Sequence, residues 1–432
     1  MSLYEKLESK IMVLGEKLNN NKILTVLRDS FMLAFPLTIF GSIMLVIANF
    51  PFLDKLLGEN GVEKLKSFLN PAATATIQVT SIIVCIGIGY YMCKREENIE
   101  PVFGAVVALT AFFLLTPFEA PIGDTGEVLT DVLAIARLGA KGMFVGMLAS
   151  FLAAILYIKI VKKNWTIKMP ASVPPAVSKS FAALIPASLT LSVFLALRII
   201  FMFTPWGNVH DFIYQIIQTP LTSLGKGLFA TIIAIFATQV LWFFGLHGQI
   251  IVNSVMDPIW QTLSLENLNA YQANQEVTNI VTKQFMETFT VGLGGTGMTL
   301  MVVICLLIFM KSKQLKEVGK LAAPAAIFNV NEPVIFGLPI VLNPVIAIPW
   351  IVGPMIATAV AYISMAIGLV PLTTGVTVPW TVPIFLNGML ATNSLRGGIL
   401  QLVQMAIIFV TWIPFLKALD KKNYMEEQAL EN

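Results

Sequence analysis

The segment whose reading decides the fold runs from Glu332 to Arg396, EPVIFGLPIVLNPVIAIPWIVGPMIATAVAYISMAIGLVPLTTGVTVPWTVPIFLNGMLATNSLR. Between the acid and the guanidinium at its ends lie 63 uncharged residues, Pro333 to Leu395, that are nonetheless rich in Pro, Gly, Asn and Thr. Two plain membrane helices do not need so many helix breakers. Non-helical backbone at membrane depth survives only where protein buries it or a cavity hydrates it. The segment therefore predicts re-entrant hairpins over Ala323 to Pro344 and Pro371 to Asn393.

The rest of the chain agrees with a lipid solvent. Of its 432 residues 56% are hydrophobic and only 12% charged, with a mean hydropathy of +0.79; soluble domains carry about 25% charged residues. A net charge of +3 is too small for the basic stripe of a nucleic-acid binder. Cys85, Cys93 and Cys305 lie in apolar runs without CxxC spacing, so neither a disulfide framework nor a metal site is expected. They read as packing residues, and no cofactor is called for.

Stretches free of Asp, Glu, Lys and Arg, Arg198 excepted, give nine candidate spans: Ser30–Leu53, Pro71–Cys93, Pro101–Phe118, Gly142–Ile158, Ser180–Thr204, Gly227–Gly245, Thr288–Met310, Asn343–Leu369 and Gly397–Leu416. Basic clusters at Lys6–Arg28, Lys94–Arg95, Lys159–Lys179, Lys311–Lys320 and Lys417–Lys422 place those loops in the cytoplasm. Parity then requires one more crossing between Leu246 and Glu287, where Gly248, Asp257 and Pro258 predict an irregular, broken span. The expectation is an all-α integral membrane protein of about ten transmembrane helices, with both termini cytoplasmic. Residues 1–29 form an amphipathic segment with Tyr4, Leu7, Ile11, Leu14 and Leu18 on one face, lying on the membrane or docking a partner. Residues 30–205 form a scaffold half and residues 206–432 a substrate half. No signal peptide is read in Met1 to Asp29.

Three motifs carry candidate chemistry. Glu332, in Asn329-Val330-Asn331-Glu332-Pro333, is a carboxylate whose burial at mid-bilayer would cost about 2.5 to 3.5 kcal/mol. It reads as a substrate-contacting acid with Asn329 and Asn331 beside it, or as an acid at the cytoplasmic edge. His247, in Trp242-Phe243-Phe244-Gly245-Leu246-His247-Gly248, has flanking glycines that let backbone approach a ligand; a satisfied core histidine is the alternative. The run Pro379-Trp380-Thr381 to Asn387-Gly388, with Thr392, offers an indole for a sugar face and amides and a hydroxyl for its polar groups. An interfacial aromatic anchor would look the same. His210 reads as solvated in an external loop. Gly292-Leu293-Gly294-Gly295-Thr296-Gly297 fits GxGxxG formally, but no strand precedes it, so it reads as a flexible helix start. No P-loop occurs.

At these motifs the chain resembles the membrane-embedded IIC subunits of the bacterial sugar phosphotransferase system, in the lactose/cellobiose/diacetylchitobiose family. The resemblance covers essentially the whole chain and is carried by Asn331-Glu332-Pro333-Val334-Ile335-Phe336-Gly337-Leu338-Pro339, Gly245-Leu246-His247-Gly248, and Pro379-Trp380-Thr381 with Ala391-Thr392. It implies a homodimer in the bacterial plasma membrane, joined mainly through the N-terminal half. It implies separate IIA and IIB partners, the latter holding the phosphocysteine of a phosphoenolpyruvate-dependent relay. It also implies a disaccharide, cellobiose or diacetylchitobiose for example, in the C-terminal half, with Glu332 and His247 near its 6-hydroxyl as the catalytic pair. Trp242, Gly248, Asn329, Asn331, Trp380, Asn387 and Thr392 are then the substrate-binding candidates. Family members often show Gly-Asp-Trp-Arg where this chain has Asn393-Ser394-Leu395-Arg396. The competing readings are an ion-coupled secondary transporter, which also uses hairpins and intramembrane acids, and a membrane enzyme with His247 and Glu332 as an acid/base pair.

Overall fold

The computed structural model describes residues 13, 17, 20–48, 53–121, 128–170, 172–338, 340, 341 and 343–431. The amphipathic face drawn through Tyr4, Leu7, Ile11, Leu14 and Leu18 lies outside them. Among the described residues the chain is predominantly helical, with one antiparallel hairpin in which Glu119–Pro121 pairs with Val128–Thr130. Six helical runs are long and apolar enough to cross a membrane: Lys22–Leu45, Leu57–Lys94, Ala140–Lys162, Pro175–Met202, Val345–Ala366 and Leu395–Ala429. The pair Val209–Gly225 and Leu228–Phe243, interrupted at Lys226 and Gly227, passes the same test when taken together.

The chain divides into two compact units. The first, Lys22–Met44 with Ser67–Ser223, is built from plain helices: α1 (Lys22–Ala48), the end of α2 (Leu53–Thr76), α3 (Thr80–Lys94), α4 (Pro101–Leu115), α5 (Met143–Lys162) and α6 (Pro175–Met202). Helices α3, α4 and α5 pack on one another, and α6 packs on α4 and α5. Small residues set the approach. Gly89 of α3 lies against Gly104 and Ala108 of α4, and a side chain there would meet the Gly104 carbonyl. Ile88, Phe112, Met143 and Phe194 are fully enclosed. The C-terminal carbonyls of α4, which its own ladder cannot satisfy, receive the Arg198 guanidinium at 2.8 Å from both Leu114 O and Thr116 O.

His210 departs from its expected place. It is 2% exposed, with Nε2 2.9 Å from the Thr116 hydroxyl. The reason is local: Asn208 caps a short helix by accepting from Asp211 N, and that turn directs the imidazole onto Phe112. Past the end of α3, Glu96 receives the Lys22 ammonium at 2.5 Å and that of Lys162. The two ammonium groups, Lys162 first, hold its carboxyl below the ordinary carboxylate range.

The second unit contains Leu224–Asn432, with α7 (Leu228–Phe243), α8 (Gly248–Gln272), α9 (Leu300–Ile308), α10 (Lys313–Ala326), α11 (Pro344–Ala366), α12 (Leu386–Thr392) and α13 (Leu395–Glu431). Trp350 and Trp412, both fully buried, centre its core. Two sequence expectations are corrected here. The stretch read as a broken span is the continuous helix α8, which takes Pro258 into its interior, the Thr262 hydroxyl bonding the Pro258 carbonyl. Conversely, the span expected over Thr288–Met310 is α-helical only over α9. A single π turn, Glu287–Val291, is followed by turns in which Gly294, Gly295 and Gly297 adopt φ of +100°, +83° and +88°, a region that side chains close off. Residues 327–331 and 367–385 are likewise non-helical.

That backbone is satisfied by buried carboxamides. Gln401 of α13 donates to Thr288 O at 2.9 Å and Gly292 O at 3.3 Å, and its oxygen accepts from Phe385 N and Gly388 N, each at 2.9 Å. Gln404, one turn on, donates to Phe289 O and Ala357 O. Asn267 of α8 bridges Asn279 and the Thr373 carbonyl, and Gln284 accepts from Val378 N at 2.9 Å. Unsatisfied buried amides and carbonyls cost about 1–3 kcal/mol each, so these four side chains are what allow irregular backbone to be enclosed.

Candidate functional site

The site grows from the turn that follows α10. Asn329 adopts φ +64°, a left-handed conformation that Asn tolerates better than most residues. Its Oδ1 accepts from Gly294 N at 2.7 Å, and its Nδ2 donates to Trp380 O at 2.6 Å and Val382 O at 3.0 Å. Asn331 donates to Thr296 O at 2.5 Å. The glycine-rich loop is the bed for this turn, since a Cβ on Gly295 would overlap Asn331 and the Asn329 carbonyl. One side chain thus joins three segments distant in sequence: the glycine loop, the Asn329–Glu332 turn and the Trp380 turn.

Glu332 opens the short helix Glu332–Gly337 and is exposed, whereas Asn329 and Asn331 are 2% and 6% exposed. Its carboxylate lies within electrostatic reach of His247. His247 caps α8: Nδ1 accepts from Ile250 N at 3.3 Å. An imidazole nitrogen that accepts carries no proton, so in the neutral ring the proton sits on Nε2, leaving an N–H donor on an exposed side chain. Trp242 packs against the ring at a 47° tilt, with centroids 4.4 Å apart. Trp380 is half-buried.

The other sequence candidates sit differently. Gly248 is buried where a Cβ would overlap the Thr238 carbonyl, so its lack of a side chain lets α8 start against α7. The Thr392 hydroxyl bonds Gly388 O at 2.8 Å within its own helix. Asn387 is fully buried, its Nδ2 3.5 Å from Val382 O and its Oδ1 without a partner among the described residues. The amides of Asn329 and Asn331 are engaged by backbone. The structure therefore sets Glu332 within electrostatic reach of His247 and Trp242 against the His247 ring, ties the Trp380 backbone to the same turn through Asn329, and gives Asn329 and Asn331 the work of holding that turn. Sequence reading missed Gln284, Gln401 and Gln404, which fix the loops, and Asp257, Lys283 and Glu287, which form a half-buried ion cluster in the same unit. The last three had a signal: charges within an otherwise apolar region, two of them four residues apart. The three cysteines are free and buried.

A multi-span helical membrane protein whose polar cluster is built from interrupted helices is a transporter architecture. The model of the phosphotransferase system EIIC family matches residues 28–354, and the chain belongs to that family. It is 55% identical over 426 residues to the oligo-beta-mannoside-specific EIIC component of Bacillus subtilis, covering 99% of this chain and 96% of that one. It is 37% identical to the cellobiose-specific EIIC component of Geobacillus stearothermophilus, with 98% and 95% covered. The crystal structure of ChbC, the IIC component of an N,N'-diacetylchitobiose-specific system, superposes with a TM-score of 0.91 at 38% identity, covering 98% of this chain and 99% of that one.

Proposed function

We propose that this EIIC protein carries a β-linked disaccharide of the cellobiose, chitobiose or β-mannoside type across the bacterial plasma membrane. It presents the sugar 6-hydroxyl at the cytoplasmic face for phosphorylation by a separate IIB protein, itself charged by IIA. The observation that supports this reading best is the Asn329 side chain, which ties the Trp380 turn to the loop carrying Glu332, whose carboxylate lies within electrostatic reach of His247. In the proposed step Glu332 accepts the 6-hydroxyl hydrogen bond and takes its proton as the oxygen attacks the phosphorus of the IIB phosphocysteine. The S–P bond breaks, an O–P bond forms, and the thiolate leaves with the electron pair. His247 donates to the same oxygen and orients it, while Trp380 lies against the ring. The proposal includes ten crossings with cytoplasmic termini, residues 30–205 as the dimer-forming scaffold and residues 206–432 as the substrate half.

Sealed vesicles containing the protein test the coupling. With internal phosphorylated IIA and IIB they should accumulate phosphorylated disaccharide; with a pH gradient alone they should accumulate none. Uphill accumulation of unmodified sugar driven by the gradient would replace this proposal with ion-coupled transport.

A further inference from the structure

Helix α10 leads into the Asn329–Glu332 turn, yet it is poorly equipped to hold its own place. It has 14 residues, includes Gly319 and Pro324, and buries fully only the narrow stripe Leu315, Gly319, Ala322 and Ala326. Isolated helices of this length are marginal in water. Its first turn carries Lys313 and Lys316 and no acid, so the positive end of its dipole meets like charge.

The missing acids come from α13. Asp420, 7% exposed, accepts from Lys311 N and Ser312 N through Oδ1 at 2.8 Å each. Glu427 accepts from Lys313 N through Oε2 at 2.9 Å and from Gln314 N through Oε1 at 3.0 Å. The same Oε1 takes the Ser312 hydroxyl at 2.7 Å, and the Ser312 oxygen in turn accepts from Leu315 N at 3.3 Å. Every N–H from Lys311 to Leu315 is thereby received, where a helix start otherwise leaves its first ones open. An ordinary cap is one side chain at the helix start itself; these two carboxylates arrive from 108 to 114 positions away.

The length of α13 makes this possible. Its 37 residues extend about 55 Å at about 1.5 Å each, well past a hydrocarbon core of about 30 Å. Near its start the same helix holds the π turn and the Phe385 segment through Gln401 and Gln404. Helix α10 also abuts the short helix that Glu332 opens, since a Cβ on Gly337 would overlap Val318.

We infer that Asp420 and Glu427 are positioning residues for the phosphoryl transfer. Their carboxylates fix the start of α10, and α10 fixes the turn that carries Asn329 and Glu332. Neither acid touches the sugar. This rests on the reading of Glu332 as the base.

The test uses the full-length purified protein in lipid nanodiscs, with hydrogen exchange and IIB-dependent phosphorylation of cellobiose read on the same preparations. Glu427→Ala should speed exchange at least about threefold over Lys313–Ala326 and carry the change on into 327–331, while α3 stays protected. Turnover should fall about three- to tenfold, the cost of a misplaced reacting group. Glu427→Gln, whose amide oxygen still accepts, should lose less. Asp420→Ala should act in the same direction; if that variant fails to fold, Glu427→Ala still decides the matter. Glu426→Ala is the control, because that carboxylate sits 3.9 Å from Lys422 on the exposed face, and neither readout should move. In the Glu332→Gln background Glu427→Ala should add less than about twofold, the non-additivity of residues acting through one group. A merely destabilised protein would lose the same factor in both backgrounds, and that result would overturn the inference. So would faster exchange confined to Lys313–Ala326 with phosphorylation unchanged, which leaves the role of Glu332 standing. A wild-type protein that phosphorylates no β-linked disaccharide with IIB would overturn the reading of the site, and the inference with it.

Discussion

The two units solve the same problem in different ways. In Lys22–Met44 with Ser67–Ser223, helices satisfy their own backbone, and polar side chains intervene mainly at ends, as Arg198 does for α4. Within Leu224–Asn432 the chain leaves helical geometry at 287–299, 327–331 and 367–385, and carboxamides from α8 and α13 and the segment before the π turn take over the work of the helix ladder. A helix ladder is made by neighbours and tolerates side-chain change. A carboxamide network draws on residues up to about 115 positions apart, so each member carries bonds that no neighbour can replace. The difference teaches that the candidate chemistry sits where backbone order depends on a few long-range bonds.

Gln401→Leu is the severest way to break this comparison. It removes four backbone partners at once and frees Phe385, whose φ of +73° is strained for a non-glycine residue. At about 1–3 kcal/mol per orphaned group the variant should not survive purification as a monodisperse protein. Thr190→Val is its control in the other unit: the hydroxyl is buried and unpartnered among the described residues. The melting temperature there should stay level or rise.

Asn329→Ala comes next. It deletes three bonds joining the glycine loop to the Trp380 turn, and should cost about 2–4 kcal/mol in thermal or chemical unfolding and reduce sugar phosphorylation with it. Asn329→Gly permits the left-handed backbone but not the bonds. Equal losses in both variants would show that the amide, not the φ angle, does the holding.

The smallest effect belongs to Glu96. Because its carboxyl is depressed by Lys162 and Lys22, its contribution is complete above the ordinary value of 4.5 and is lost as pH falls below it. With both lysines largely solvated, 57% and 42% exposed, it is worth less than about 1 kcal/mol. The Tm difference between wild type and Glu96→Gln should be small near neutrality and shrink further as pH falls below the ordinary carboxylate value. A difference that grows on acidification would refute the assignment.

How much of this was legible in the sequence follows the same division. Glu332, His247 and Trp380 stand out as candidates because charge, imidazole and indole are conspicuous in an apolar run. The membrane class was readable because the uncharged segment from Pro333 to Leu395 has no soluble counterpart. Helix α8 was misread because Gly248, Asp257 and Pro258 each weaken a helix locally, while the Lys283 ammonium that holds Asp257 lies 2.7 Å away in space and a loop away in sequence. Gln401 and Gln404 carried no signal at all, since a glutamine in an apolar helix looks the same whether it faces a neighbour or a distant carbonyl. The Asn393-Ser394-Leu395-Arg396 loop is intelligible only in three dimensions: Asn393 takes φ +50° at the end of α12, a conformation glycine or asparagine provides, and bonds the Tyr271 hydroxyl at 3.1 Å.

The central claim is that Glu332 removes the proton from the sugar hydroxyl, and proteoliposomes holding Glu332→Gln test it most directly. Equilibrium sugar binding and IIB-dependent phosphorylation are measured on the same preparation. The carboxamide keeps the shape but is a weak base and a neutral acceptor. Phosphorylation should therefore fall by about 10²- to 10⁴-fold, with affinity reduced by no more than about tenfold as a charge-assisted hydrogen bond becomes an ordinary one. Phosphorylation within a few fold of wild type, at whatever affinity, would contradict the account and leave Glu332 a binding residue only.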